Sequence, residues 1–406
     1  MKVVIIGAGV AGLGIGWKLA QAGVSVSILE RANVGSGATT ASAGMIAAAA
    51  ELGDSDSSEA AFARRANMLW PDFAAEMEAK SDVPVNYHES GSLMVALLPT
   101  KNMHESPHGG HRAKPGMPNP HAQGADISLL DAVQARAMEP MLAEGIAGAL
   151  WAPHEATIDT HAVVRALATA FLRAGGKILP NETAIRFEIE NGRVNGVRTP
   201  FTLHRADAYV LATGAWTAQL EGLPREAVPP VVPVKGEIVV LAPPPGAVLP
   251  KRVVWGNDIY IVPRGNRLLV GATTELAGYD TSRSPEAFRW LSRQSAGLMP
   301  ALEGWDVAEH WSSLRPGSPD GLPIIGRTLV DGLYVASGQY RNGILFAPAV
   351  AEVMSRLILE RAVDVPAFDP RRFDGATARA ASKSFIETAH RAPGRDAGVR
   401  EWHAGF

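Results

Sequence analysis

The first thirty residues restrict the fold more than any other stretch of the chain. Residues 2–6 supply a continuous β-branched run, Val3, Val4, Ile5 and Ile6, of the kind a central parallel strand requires. It passes directly into Gly7-Ala-Gly9-Val-Ala-Gly12, then residues 13–22 at helical periodicity, then Gly23. A second strand at residues 24–29 ends on Glu30. This is one βαβ unit with every part in register. Gly7 allows the tight turn, Gly9 lets a pyrophosphate approach the backbone, and Gly12 permits close helix–strand contact. The helix N-terminus, with Val10 and Ala11 in its first turn, offers free N–H groups and a positive dipole end to the phosphates. Glu30 stands where an acid would take the ribose hydroxyls of an adenosine. The unit predicts dinucleotide binding.

Two later segments bear on which dinucleotide. Residues 208–216 read as a buried strand ending in a glycine turn at Thr213 and Gly214, and residues 332–338 read as another ending at Gly338. The second is followed by Gln339, Tyr340, Arg341, Asn342, Gly343, Ile344 and Leu345, then by a helix over about 348–361. A contiguous nicotinamide domain would keep its strands together at the N-terminus. Strand-to-glycine punctuations at the start, middle and end of the chain instead favour one FAD domain assembled from distant segments.

The stretches between differ in texture. Residues 85–95 and 228–272 are rich in β-branched residues, with turns near Pro243 and Gly265, and read as antiparallel strands of a second lobe. Residues 157–174 form an amphipathic helix, with Thr157 or Asp159 as N-cap and Gly175 ending it. Residues 99–125 contain five prolines and four histidines with little periodicity, which reads as a mobile surface loop. His104, His108 and His111 within it have no carboxylate or cysteine to complete a metal shell, so no metal is expected. Residues 374–406 lack a core pattern and read as a weak helix or a tail.

Composition narrows the chemistry. The 406 residues contain no cysteine, which excludes disulfides, iron–sulfur clusters, a cysteine nucleophile and a thioether to flavin. The earliest histidine is His88, outside the N-terminal cofactor segment, so FAD is expected to be noncovalent. A net charge of −3 gives no electrostatic reason to expect nucleic acid or an anionic membrane. Only Lys2 precedes the apolar start and residues 41–50 are too short to cross a bilayer, so the expectation is a cytoplasmic protein without a membrane span.

Taken together, these residues resemble the flavin-dependent amine oxidases of the D-amino-acid oxidase superfamily, and within it the glycine oxidases associated with thiamine biosynthesis. The likeness runs from Met1 to about Phe373. Beyond the opening unit it rests on residues 38–45 with Glu51, on 233–237, 260–264, 270–273, 314–321, 325–327 and 341–345. The resemblance implies a two-lobed α/β (α+β) chain, a Rossmann-like FAD-binding domain interrupted by an antiparallel-sheet substrate domain. It implies an FAD domain over 1–84, 151–224 and 311–373, a substrate domain over 85–150 and 225–310, and a tail over 374–406. It adds Arg31, Thr39, Thr40, Ala43, Gly44, Met45 and Ala184 to the cofactor contacts. For the substrate it implies Arg315 holding the carboxylate, Tyr260 giving it a second hydrogen bond, and Arg341, Asp258, Thr274, Ala47 and Ala50 as pocket wall. Five positions depart from the glycine oxidase pattern. Asp258 and Ala49 stand where it has histidine, Thr274 where it has methionine, and Gln339-Tyr340 where it has His-Phe.

A guanidinium meets a carboxylate through two parallel hydrogen bonds, which suits Arg315 to an amino-acid substrate. No histidine or carboxylate stands out as an obligatory base, consistent with hydride transfer from a neutral amine. The expected activity is FAD-dependent oxidation of glycine or another small amino acid, with oxygen as acceptor and an imine as first product. Two alternatives stay open. One is a dehydrogenase for D-amino acids, sarcosine, D-hydroxyproline or an opine that passes electrons to a quinone or partner subunit. The other is a non-catalytic flavin-binding subunit. Oligomeric state is likewise open.

Overall fold

The computed structural model describes residues 1–53, 56–98, 127–360 and 365–373. The histidine-bearing stretch 99–125 and the segment 374–406 lie wholly outside them, so the expectations placed there have no structural counterpart.

Two sheets organise the chain. The first has six strands in the order Ile324–Arg327, Leu333–Ser337, Ala208–Leu211, Lys2–Ile6, Ser25–Glu30 and Lys177–Pro180. Its pairs are parallel except at the Ile324–Arg327 edge. Strand alternation divides its two faces. Val3 and Ile5 point into a core formed with the helices Val10–Gln21, Ser58–Ser81, Thr160–Arg173 and Ala347–Glu360. Val4 and Ile6 point into a second core closed by Phe187, Val194 and Val197 of a small three-stranded antiparallel sheet. Both faces are thus dry, which is why strand Lys2–Ile6 is apolar at every position after Lys2.

The second sheet has eight strands. Their order is Asp306–Gly317, Val232–Ala242, Arg267–Gly271, Ile259–Arg264, Val253–Gly256, Ser92–Leu97, Ile146–Ala152 and Ser128–Asp131. It is antiparallel but for the pair Val253–Gly256 and Ser92–Leu97, which runs parallel, so the expected all-antiparallel lobe is a mixed sheet. One face packs under helix Pro285–Leu298 through Val239, Ile261, Val270 and Leu291. The other presents Ile238, Tyr260, Val262 and Leu269 to Ala43 and Ala47.

Sheet membership shifts two expected boundaries. Strand Asp306–Gly317 pairs along its length with Val232–Ala242, so a boundary at residue 311 cuts through it, and Ile146–Ala152 likewise spans 151. The helix read at residues 157–174 is Thr160–Arg173, capped by Asp159, whose side chain accepts from the amides of His161 and Ala162. Gly175 follows it with φ +89°. No helix among the described residues is long and apolar enough to cross a membrane.

Candidate functional site

A cleft of about 480 Å³ runs between the sheets, lined at one end by Glu30 and Arg31 and at the other by Tyr260, Arg315 and Arg341. Its middle is the turn after the first strand. Gly7 has φ +105°, and a Cβ there would lie 2.4 Å from the carbonyl oxygen of Ala212. A Cβ on Gly12 would lie 2.0 Å from the carbonyl of Gly7, so only glycine lets the helix descend this close to the strand. The first helical turn contains no acid, which leaves its positive end uncompensated for phosphate. The Thr39 hydroxyl accepts from the amide of Val10 at 3.1 Å and stands 3.3 Å from where a Gly9 Cβ would be.

The adenosine end is ordered by Glu30. Its carboxylate accepts from the amides of Ala8 at 2.9 Å and Ala32 at 3.0 Å, which clamps the ends of neighbouring strands together. The Arg31 guanidinium stacks 3.7 Å over the Trp216 ring, and Tyr279 lies against the same indole. Both Arg31 and Trp216 line the cleft.

Past the glycine turn the wall is built by residues 43–45 on one side and 339–345 on the other. Gln339 is buried, and its side-chain amide nitrogen has no partner among the described residues, an orphaned donor facing the cleft region. The amides of Gly343 and Ile344 also take no partner among the described residues, just before helix Ala347–Glu360. Bare glycine backbone, an unopposed helix N-terminus and unsatisfied donors are what an extended, anionic, heteroaromatic cofactor demands. The residues present fit FAD.

At the far end, Arg315 Nη1 donates to the carbonyls of Thr273 at 3.0 Å and Lys235 at 3.4 Å. Burial holds the Tyr260 hydroxyl above its usual pKa, although Arg315 and Arg341 nearby pull it down. For Arg341, burial works against the charge, but the Glu51 carboxylate 3.2 Å from Nε, together with Tyr340 and Tyr260, outweighs it and raises the guanidinium pKa. Behind this pair lies Glu59, pushed up to about 7 by burial despite the Asn342 amide that donates to it at 3.4 Å.

Most expected residues meet in this one cleft. Its lining includes Gly7, Gly9, Val10, Ala11, Glu30, Arg31, Thr39, Ala43, Gly44, Met45, Ala184, Thr213 and Gly214, the run 339–345, and Ala47, Tyr260 and Arg315. Six expected residues lie outside the lining. Asp258 sits in the turn between Val253–Gly256 and Ile259–Arg264 with φ +63°, a backbone set by the hairpin. Thr274 lies past the end of Arg267–Gly271, next to the pairing of Lys235 with Glu275. The Ala50 amide is turned onto the Glu155 carboxylate at 2.8 Å. Thr40 donates its hydroxyl to the Gly35 carbonyl, Gly12 is spent on helix–strand packing, and a Cβ on Gly338 would meet Ile324. Conversely, Glu51, Trp216, Gly236 and Ile238 line the cleft without having been singled out as site residues. Among the described residues, no group of His, Asp and Glu could hold a metal ion.

A groove for a dinucleotide that continues into a cleft lined by two arginines and a buried tyrosine defines a flavoprotein oxidoreductase. The family model described as "FAD dependent oxidoreductase" (DAO) matches residues 2–357, and the chain belongs to that family. It is 34% identical over 380 residues to glycine oxidase of Geobacillus kaustophilus, covering 92% of this chain and 97% of that protein. It is 33% identical to the bifunctional protein ThiO/ThiG of Synechocystis sp., covering 91% of this chain and 54% of that one. The chain thus spans about half the length of the bifunctional relatives it matches. The crystal structure of the Geobacillus kaustophilus glycine oxidase superposes with a TM-score of 0.82 at 31% identity, covering 92% of this chain and 99% of that one. An L-proline dehydrogenase from P. horikoshii, at 22% identity and a TM-score of 0.76, shares the fold.

Proposed function

We propose that this chain oxidises glycine or another small amino acid with noncovalent FAD, and that oxygen reoxidises the flavin to give hydrogen peroxide. The observation that supports this reading is the junction of two unlike recognition elements in one cleft. Phosphate-binding glycines line one part of it, and a guanidinium with a neighbouring phenol lines another. A protein that merely stored flavin would have no use for the second.

Bound FAD supplies the hydride acceptor, a chemistry no side chain here provides. The chain's own task is positioning. Arg315 takes the substrate carboxylate in a two-pronged hydrogen bond, and its remaining donors stay tied to the Thr273 and Lys235 carbonyls. Tyr260, kept protonated by burial, donates its O–H to the same carboxylate. Anchoring the carboxylate turns the substrate α-carbon toward the wall built by residues 43–45 and 339–345. The Gly343 and Ile344 amides, which have no partner among the described residues, and the helix behind them would favour negative charge on a flavin held against them. The amine loses its proton before the C–H bond breaks, so no side-chain base is required. The imine leaves and takes up water, giving the 2-oxo acid and ammonia, while oxygen takes two electrons and two protons to become hydrogen peroxide.

The test is anaerobic bleaching of the bound flavin against glycine, sarcosine, D-amino acids and D-proline, followed by a count of hydrogen peroxide per imine in air. Bleaching by a small amino acid with about one peroxide per turnover is expected. No bleaching by any of them would overturn the substrate class. Bleaching without peroxide would replace oxygen by another electron acceptor.

A further inference from the structure

Residues 40–44 run along the cleft between the two sheets, and their carbonyl groups are bound one after another. Thr40 O accepts from the Thr160 hydroxyl at 3.3 Å, and Gly44 O accepts from the Ile158 amide at 2.8 Å. The three carbonyls between them are taken by side chains of the second sheet. Trp311 Nε1 donates to Ala41 O at 3.0 Å. Arg264 Nη2 donates to Ala43 O at 2.6 Å and to Ser42 O at 3.4 Å. None of these donors lines the cleft, whereas Ala41, Ser42, Ala43 and Gly44 do.

A peptide unit cannot send its C=O and N–H to the same side, so the outward carbonyls of Ser42 and Ala43 leave the amides of Ala43 and Gly44 facing inward, whereas the Ser42 amide, which shares a peptide with the Ala41 carbonyl, is bonded to Thr39 O at 3.3 Å. The amides of Ala43 and Gly44 take no partner among the described residues. Arg264 is an unusual choice for so local a task. Burial depresses its pKa, Asp159 offsets this only in part, and among the described residues no carboxylate lies within ion-pair distance. A half-buried guanidinium bonded to carbonyls is costly unless its several donors and its charge are both used. An ordinary strand-end arginine would snorkel to water or pair with an acid.

We propose that Arg264 and Trp311 are positioning residues for the flavin. Arg264 turns the two peptides that carry the Ala43 and Gly44 amides so that these meet the flavin ring as hydrogen-bond donors, and Trp311 braces the peptide just before them. The inference rests on the reading that FAD occupies this cleft, but it is independent of which amine is oxidised. It also makes the second sheet part of the cofactor site. Donors fixed toward the ring stabilise it more when it is electron-rich, so the latch raises the reduction potential as well as the affinity.

The experiment uses the holoenzyme and needs no substrate. FAD release on dilution, read by flavin fluorescence, and the flavin midpoint potential are measured for wild type, Arg264→Met, Arg264→Lys and Trp311→Phe. Arg264→Met is expected to weaken FAD binding at least about tenfold and to lower the potential, with Arg264→Lys intermediate. Trp311→Phe, which removes one donor and keeps the ring, is expected to shift both in the same direction by less. If Arg264→Met fails to fold, the other two variants decide. Potentials unchanged in Arg264→Lys and Trp311→Phe would overturn the latch alone. Full FAD retention by Gly7→Ala would mean that the cofactor lies elsewhere, and would overturn the latch and the reading beneath it together.

Discussion

The guanidinium of Arg315 lies flat across Gly236, so that a Cβ on that glycine would sit 2.1 Å from Nη1 and 2.4 Å from Cζ. The bare backbone is therefore a seat. Its neighbours hold it still. The Lys235 carbonyl accepts from Arg315, and the Lys235 ammonium is 3.1 Å from the fully buried Glu237 carboxylate. Glu237 also bonds His310 Nε2 at 2.7 Å and accepts from the Ser284 amide. Removing one partner of a buried charge pair costs about 3–5 kcal/mol, so this network resists displacement of the strand beneath Arg315. Tyr260 is seated in the same manner, since a Cβ on Gly271 would lie 2.5 Å from its hydroxyl oxygen.

Gly236→Ala tests the seat. The atoms displaced are the far end of a flexible side chain, so the protein should fold and keep its flavin while Arg315 swings away. We expect kcat/KM for an amino-acid substrate to fall at least about tenfold, or 1.4 kcal/mol, with unfolding little changed. Unaltered kinetics would show that Arg315 does not work from this position.

Arg315→Ala removes the anchor itself. Loss of a charge-assisted bidentate contact that leaves its partner charge buried costs roughly 2–5 kcal/mol, or about 30-fold to several thousand-fold in kcat/KM. Tyr260→Phe, which deletes one donor to the substrate carboxylate, should cost about tenfold to a hundredfold, since a hydrogen bond to a charged group is worth about 1.5–3 kcal/mol. An Arg315→Ala effect below threefold would mean that another arginine, Arg341 foremost, binds the carboxylate.

What the sequence made legible follows from how far each feature reaches along the chain. The glycine turn and Glu30 could be read because strand, helix and strand are contiguous and each glycine's task is local. The latch and the seat could not. Arg264 reaches Ala43 across 221 positions and Arg315 reaches the Lys235 carbonyl across 80, and no periodicity encodes such pairings. Asp258 lies off the cleft lining for a related reason. A position two residues before Tyr260 looks close to the pocket along the chain, but the hairpin turn at φ +63° carries it out of the lining. The boundary expected at residue 311 falls inside strand Asp306–Gly317, whose continuity is hidden by the polar stretch at Glu309 and His310.

The placement of Asp258 yields its own prediction. Because Asp258 and Thr274 lie outside the cleft lining, exchanging them together for His and Met should not redirect the substrate. We expect the ratio of kcat/KM for glycine to that for a larger D-amino acid to stay within about twofold, under 0.5 kcal/mol. A shift beyond tenfold would bring these residues back into the specificity pocket by a rearrangement on binding.

Glu155 supplies a test of stability against pH. Burial pushes its carboxyl up to about 7, opposed by the Ala50 amide and the Ser92 hydroxyl and aided by the Glu51 charge. A carboxyl whose folded pKa lies above its unfolded value favours the folded state while protonated. Its contribution is complete below the unfolded value of 4.5, declines as pH rises, and is gone above about 7. Glu155→Gln keeps an acceptor for the Ala50 amide but cannot ionise, so it removes this loss. Relative to wild type, the variant should therefore gain on the order of 2 kcal/mol between pH 5 and pH 8 in urea unfolding. Glu59, also pushed up to about 7, titrates in both proteins and cancels in the comparison. A stability difference between variant and wild type that is the same at both pH values would mean that Glu155 is ionised throughout, and that its charge is met by a partner the fold alone does not reveal.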